Sequence, residues 1–124
     1  PSSYISDPHL QFMSANSLER NDVVVAISQS GTTTALIESV KIVRKNGAKV
    51  IGIMPGETPL ANICDFPLTI NVGINNRISK PVTSRIAYTA VIDVLTMGVA
   101  QLKPEAQDHL YNIADSQRSL KIDN

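Results

Sequence analysis

The stretch Val23-Val24-Val25-Ala26-Ile27-Ser28-Gln29-Ser30-Gly31-Thr32-Thr33 decides the fold. Its first five residues are apolar and mostly β-branched, which predicts a strand buried on both faces, as in a parallel sheet. A hydroxyl-rich turn follows at once. From about Thr32 to Asn46 the period becomes helical, with Leu36, Val40 and Val43 on one face and Ile37 widening the stripe. Lys41, Arg44 and Lys45 fall in the later turns, where cations complement the helix dipole, and Gly47 is a suitable C′ stop.

The same alternation continues outward. Lys49 to Ile53 reads as a second buried strand, Thr58-Pro59 caps a short helix through Cys64, and Pro67 to Val72 forms a third strand. Upstream, Asp7-Pro8 opens a short helix, with Asp as N-cap, Pro at the first helical position, and Leu10, Met13 and Ser17 on one face. Downstream, Gly73 to Thr83 is a polar loop, and Thr83 or Ser84 caps a long helix whose interior runs from Ala87 to Leu102. Pro104 starts a last amphipathic helix carrying Leu110, Ile113 and Ala114 on its buried side. Strands alternating with helices require right-handed crossovers. The expected class is therefore α/β, a parallel sheet with helices on both faces in a Rossmann-like three-layer sandwich. Ligands in such sheets sit at the carboxyl ends of the strands, where the Ser28–Thr33 turn lies.

Composition narrows the function. Hydrophobic residues make up 43% and charged residues 18% of the 124, and the formal charge is zero. That balance argues against this segment gripping nucleic acid or an anionic membrane by itself. No stretch reads as a membrane span and no signal peptide precedes the first element, so the expected compartment is the cytoplasm. The single cysteine, Cys64, lies in an apolar run and reads as a buried small hydrophobe. Met13, Met54 and Met97 read as core filler. The chain length suits one domain, and a start at Pro1 with no element before Asp7 reads as a fragment of a longer protein.

Ser28, Ser30, Thr32, Thr33 and Thr34 crowd hydroxyls around Gly31 where a helix begins. Backbone N–H groups there lack intrahelical partners, and with the positive end of the dipole they suit an anion. Gly31 allows close approach or a left-handed conformation. With no Lys or Arg in the turn, neutral donors would do the binding, which favours a phosphomonoester over a nucleotide with its metal. Neither a P-loop nor a G-x-G-x-x-G pattern is present. Helix capping alone would need only one of these hydroxyls.

These residues resemble a known family. Val25 to Thr33 matches the S-x-S-G-x-T signature of the sugar isomerase (SIS) domain, and Ala48 to Ile53 and Thr58 to Ala61 resemble its next strand and helix. Asp7-Pro8-His9-Leu10-Gln11 and Ser84-Arg85 through Val94-Leu95 resemble, more narrowly, the RpiR/MurR/HexR bacterial regulators. In those, a SIS domain senses a sugar phosphate and an N-terminal helix-turn-helix domain binds DNA. The resemblance implies phosphate contacts from Ser28, Ser30 and Thr33, with Gln29 adding an amide and Gly31 shaping the turn. It also implies that a first strand, helix and second strand with a G-x-G-x-S turn, and the DNA-binding domain, precede Pro1.

Further assignments follow. His9 matches a family-like position near the strand ends and is a candidate for sugar hydroxyls. Ser84 and Arg85 are candidates for sugar contact, Arg85 equally for a salt bridge. His109 reads as a solvated surface residue. No spacing suggests a metal site, and no cofactor is implied. The leading reading is a non-catalytic domain whose partner is a phosphorylated sugar effector, with DNA bound only through the N-terminal domain. The second is an aldose/ketose phosphate isomerase, whose chemistry needs a general base. Glu38 points away from the turn by periodicity, whereas Glu57 sits in a loop. A third is a purely structural dimerisation module. The apolar circumference of Ser84 to Leu102 implies a homodimer or higher homo-oligomer.

Overall fold

Among the described residues three strands, β1 (Val23–Ile27), β2 (Lys49–Met54) and β3 (Phe66–Thr69), lie parallel in the order β1-β2-β3. Helix α1 (Pro8–Ser17) precedes them, α2 (Thr34–Lys45) and α3 (Pro59–Ile63) interleave, and α4 (Lys80–Leu102) follows. This computed structural model describes residues 2–71 and 80–103, backbone only at 80–84, and the helical positions Glu105, Asp108, Asn112 and Asp115. Leu110, Ile113, Ala114 and His109 lie outside the described residues, as does most of the expected loop from Gly73. Two compact units are present, residues 1–84 with the sheet and residues 85–124. The expected α/β class and parallel sheet are present.

In the first unit the sheet register sets the two faces. Ala26 lies beside Gly52 and Gly52 beside Pro67, while Val25 lies beside Ile51 and Ile51 beside Phe66. Neighbours in parallel register share a face, and successive residues alternate. On one face Val24, Ala26, Val50 and Met54 join Val40 and Val43 of α2, Ala15 of α1, Leu60 and Cys64. Val40, Val50, Ile53, Met54 and Leu60 are fully buried, each worth roughly 1.5–3 kcal/mol of transfer free energy. The opposite face is less covered: Val23 is 60% exposed and Phe66 57%, with Val25 and Ile27 also exposed. Burial on both faces therefore holds for β2, where Val50 and Ile53 are both buried, and fails for β1. An apolar pattern records what a face is suited to contact, and not what covers it in this structure.

Local signals set most boundaries. The Asp7 carboxylate accepts from Leu10 N at 3.0 Å, with Pro8 at the start of α1. The face of α1 that carries Leu10 and Met13 is not the one that packs. Leu10 and Met13 are exposed, whereas Ala15 is buried and Gln11 and Leu18 are half-buried. The small Ala15 suits a close helix–helix contact, and the Asn46 side chain donates to Ala15 O at 3.1 Å, fastening that end of α1 beside the end of α2. Asp65 closes the far end of the sheet, accepting from Val50 N at 2.8 Å and pairing with Arg44 at 3.5 Å. Cys64 is buried as expected, and burial first, then Asp65, pushes its thiol up, against a lowering by Arg44. Met54 is core, but Met13 and Met97 are exposed.

The long helix starts earlier than its expected cap at Thr83 or Ser84. It begins at Lys80, with Pro81 in its first turn, where the missing N–H costs no intrahelical bond. In the second unit, Tyr88 and Ala100 are buried, and burial pushes the Tyr88 phenol up. Ile86, Val94, Met97, Val99 and Leu102 are exposed, Val94 at 73%. Contrary to expectation, Arg85–Leu102 is long and apolar enough to cross a membrane by length and composition.

Candidate functional site

The Ser28–Thr33 turn sits at the carboxyl end of β1, where Ser28 N continues the ladder onto Ile53 O at 3.0 Å. Ser28 is buried, and its Oγ accepts from Gly31 N at 2.9 Å. Ser30 is exposed, and its Oγ accepts from Thr32 N at 3.2 Å and from Thr32 Oγ1 at 3.0 Å. With Thr32 donating to it twice, the exposed Ser30 hydroxyl keeps its own proton to give to a further acceptor. Accepted bonds of this kind polarise the hydroxyl and strengthen it as a donor.

Two amides that the sequence left free, Gly31 N and Thr32 N, are thus held by hydroxyls of the turn itself. The free donors lie one step further on. Thr33 is the N-cap of α2, extended at φ −65° and ψ 109°, and its side chain makes no capping bond. The first helical bond runs from Ile37 N to Thr33 O at 3.0 Å. The amides of Thr34, Ala35 and Leu36 therefore precede any helical acceptor. A Thr hydroxyl that only capped the helix would accept from one of them, and Thr33 does not.

Gly31 has φ +69°, and a Cβ there would overlap the Thr58 side chain. One bond ties this loop to the next, Leu60 N donating to Gly31 O at 3.0 Å, and within that next loop Thr58 Oγ1 donates to Pro55 O at 2.9 Å. The role of Thr58 beside Gly31 was not legible in the sequence, where Thr58-Pro59 read only as a helix cap. Ala61 N does donate to Thr58 Oγ1 at 3.4 Å, so the cap is present too.

The other assigned residues stand apart. Gln29 is exposed on the turn. His9 is exposed in the first turn of α1, and no bond joins it to the turn among the described residues. The Ser84 side chain lies outside the described residues. Arg85 is exposed in the second unit, on a groove of about 380 Å³ with Ile86, Thr89, Ala90 and Asp93. Glu38 pairs with Lys41 at 2.9 Å on the surface of α2. Glu57 adopts φ +57° in the exposed turn after β2.

The SIS domain model matches residues 1–98, which cover the sheet, the hydroxyl turn and most of α4. The chain belongs to the SIS domain family. The HTH-type transcriptional regulator HexR of Escherichia coli is 34% identical over 124 residues, spanning 99% of this chain and 43% of that protein. The HTH-type transcriptional regulator RpiR of Escherichia coli is 31% identical over 100 residues, 80% of this SIS chain and 34% of that protein. The chain thus spans less than half the length of these curated relatives. Vibrio vulnificus NanR, solved in complex with ManNAc-6P, shares the fold with a TM-score of 0.79 at 23% identity, over 94% of this chain and 44% of that one. The family resemblance drawn from the signature is thereby established.

Proposed function

We propose that this SIS chain is the sugar-phosphate-sensing effector part of a bacterial RpiR-type transcription regulator, with the phosphate held on the Ser28–Thr33 turn. The observation that carries the reading is the uncapped Thr33. A helix start keeps a hydroxyl and three amides unspent, one turn from an exposed Ser30 hydroxyl that still has a proton to give. Ser28, Ser30 and Thr33 donate to phosphate in this reading, Gln29 adds an amide, and Gly31 gives the turn its shape. His9, Ser84 and Arg85 remain candidates for the sugar. Kinship with HexR and RpiR supports a regulator, and the ManNAc-6P bound by NanR supports a sugar phosphate as effector.

The parent in this reading is cytoplasmic, with 1–124 as one SIS-type domain completed by earlier strands, and DNA is bound by a separate helix-turn-helix domain. It acts without turnover. Glu38 is committed to a surface ion pair, which supports a site without a base at that position. The exposed apolar residues of α4 support a homodimer over a membrane span, since Arg85, Asp93 and Gln101 would be costly in lipid. Calorimetry of the full-length protein against hexose and N-acetylhexosamine 6-phosphates tests the binding, and NMR of the same mixtures tests turnover. Binding without interconversion is expected. Aldose–ketose exchange at enzyme-like rates, lost on Glu57→Gln, would replace this reading with an isomerase.

A further inference from the structure

Thr58 has a side chain whose every heavy atom is engaged. Its Oγ1 donates to Pro55 O and accepts from Ala61 N, which fixes χ1. In that rotamer Oγ1, Cβ and Cγ2 all lie where a Cβ on Gly31 would be. Gly31 is therefore held from two directions by the start of α3, through the Thr58 side chain against its Cα and Leu60 N–H on its carbonyl. The neighbours of Gly31 carry the ligand-facing groups. Gly31 N anchors on Ser28 Oγ, and Thr32, the next residue, holds Ser30 Oγ by two bonds.

We infer that Thr58 is a positioning residue for anion binding, acting through Gly31 to fix where the Ser30 hydroxyl points. The inference rests on the phosphate reading of the turn. A Thr at this place does two things at once: its hydroxyl caps α3, and its bulk sets the backbone of a turn 27 positions earlier in the chain. When Thr58 is cut back to Ala, only its Cβ stays against Gly31 and the hydroxyl bonds that fasten it are lost, so Gly31 regains part of the conformational range that only glycine visits freely. The Thr32 bonds to Ser30 then no longer have a fixed base, and binding must first reorder the turn.

The experiment uses the full-length protein, with inorganic phosphate and glucose 6-phosphate as probes in calorimetry at a temperature where every variant is folded. Thr58→Ala is expected to weaken both probes about tenfold, the loss of roughly one charge-assisted hydrogen bond's worth of order. Thr58→Ser keeps the hydroxyl and its two bonds, and should recover most of that loss. In a Ser30→Ala background, Thr58→Ala should cost little more, because the group it positions is gone. The amide resonances of Gly31 and Thr32 should move in Thr58→Ala and stay in Thr58→Ser, with no ligand present. Unchanged affinity and unchanged resonances in Thr58→Ala overturn the inference while leaving the phosphate site standing if Ser30→Ala still weakens binding. Full additivity of the two substitutions overturns it as well. If neither probe binds wild type, both the site and the inference fall together.

Discussion

Gly31→Ala should be among the most costly substitutions in the first unit. Two separate terms add. The backbone at Gly31 stands at φ +69°, a conformation that costs an L-residue about 1–2 kcal/mol. The new Cβ would also overlap Thr58, whose side chain must leave its rotamer. Moving it breaks the bond to Pro55 O and the cap on Ala61 N, together about 1–2 kcal/mol. The expected loss is thus roughly 2–4 kcal/mol, large against the ~5–15 kcal/mol that holds a domain folded. Urea titration of the full-length protein followed by circular dichroism measures it as a shift of midpoint at constant slope. The double variant Gly31→Ala, Thr58→Gly separates the terms, because every overlapping side-chain atom of Thr58 is gone and the φ cost and the lost cap remain. A loss under about 0.5 kcal/mol for Gly31→Ala would refute the reasoning, since that is the range of substitutions away from such features.

Other consequences are open to simpler tests. Asp7→Ala removes the carboxylate that accepts from Leu10 N and should cost about 1 kcal/mol by the same titration. Cys64 is buried with its thiol pushed up, so the folded chain keeps a proton that the unfolded chain gives up above about pH 8.5. The stability this represents is present below that pH and is lost as pH rises through the folded value. Wild type should therefore lose more stability than Cys64→Ala over that alkaline range, and native Cys64 should react slowly with a thiol reagent. Val94, 73% exposed on α4, should tolerate Glu in a monomer. In the proposed homodimer Val94→Glu should raise the dimer dissociation constant at least tenfold by sedimentation, about 1.4 kcal/mol.

The fold was legible where a local rule fixes a local structure. Asp7-Pro8 and Thr58-Pro59 marked helix starts because a side-chain oxygen and a ring with no N–H suit those positions whatever surrounds them. Gly47, at φ +87°, stopped α2 for the same kind of reason. What failed depended on packing partners. Met13 read as core filler because it is apolar, yet the contact of α1 with α2 is made around Ala15, whose merit is small size. The start of α4 was placed late because Thr83 and Ser84 are good caps, whereas Pro81 is also at home in a first turn.

The hydroxyl turn shows the same division. The density of Ser and Thr around Gly31 pointed to the turn, since few other structures use so many donors. Which donors remain unspent was not legible. Ser28 and Ser30 both accept from amides of the turn, and Thr33, the residue best placed to cap, makes no capping bond. Thr58 lay hidden because its partner, Gly31, is 27 positions away, and no pattern in the chain joins them.

The central claim is that the turn holds phosphate through Ser30, and it has a direct measurement. Calorimetry of full-length wild type and Ser30→Ala against a panel of hexose and N-acetylhexosamine 6-phosphates compares one hydroxyl's contribution with a charged partner's expected worth. Loss of about 1.5–3 kcal/mol in Ser30→Ala for the bound member of the panel is predicted. Equal affinity of the two proteins for that sugar phosphate would contradict the account.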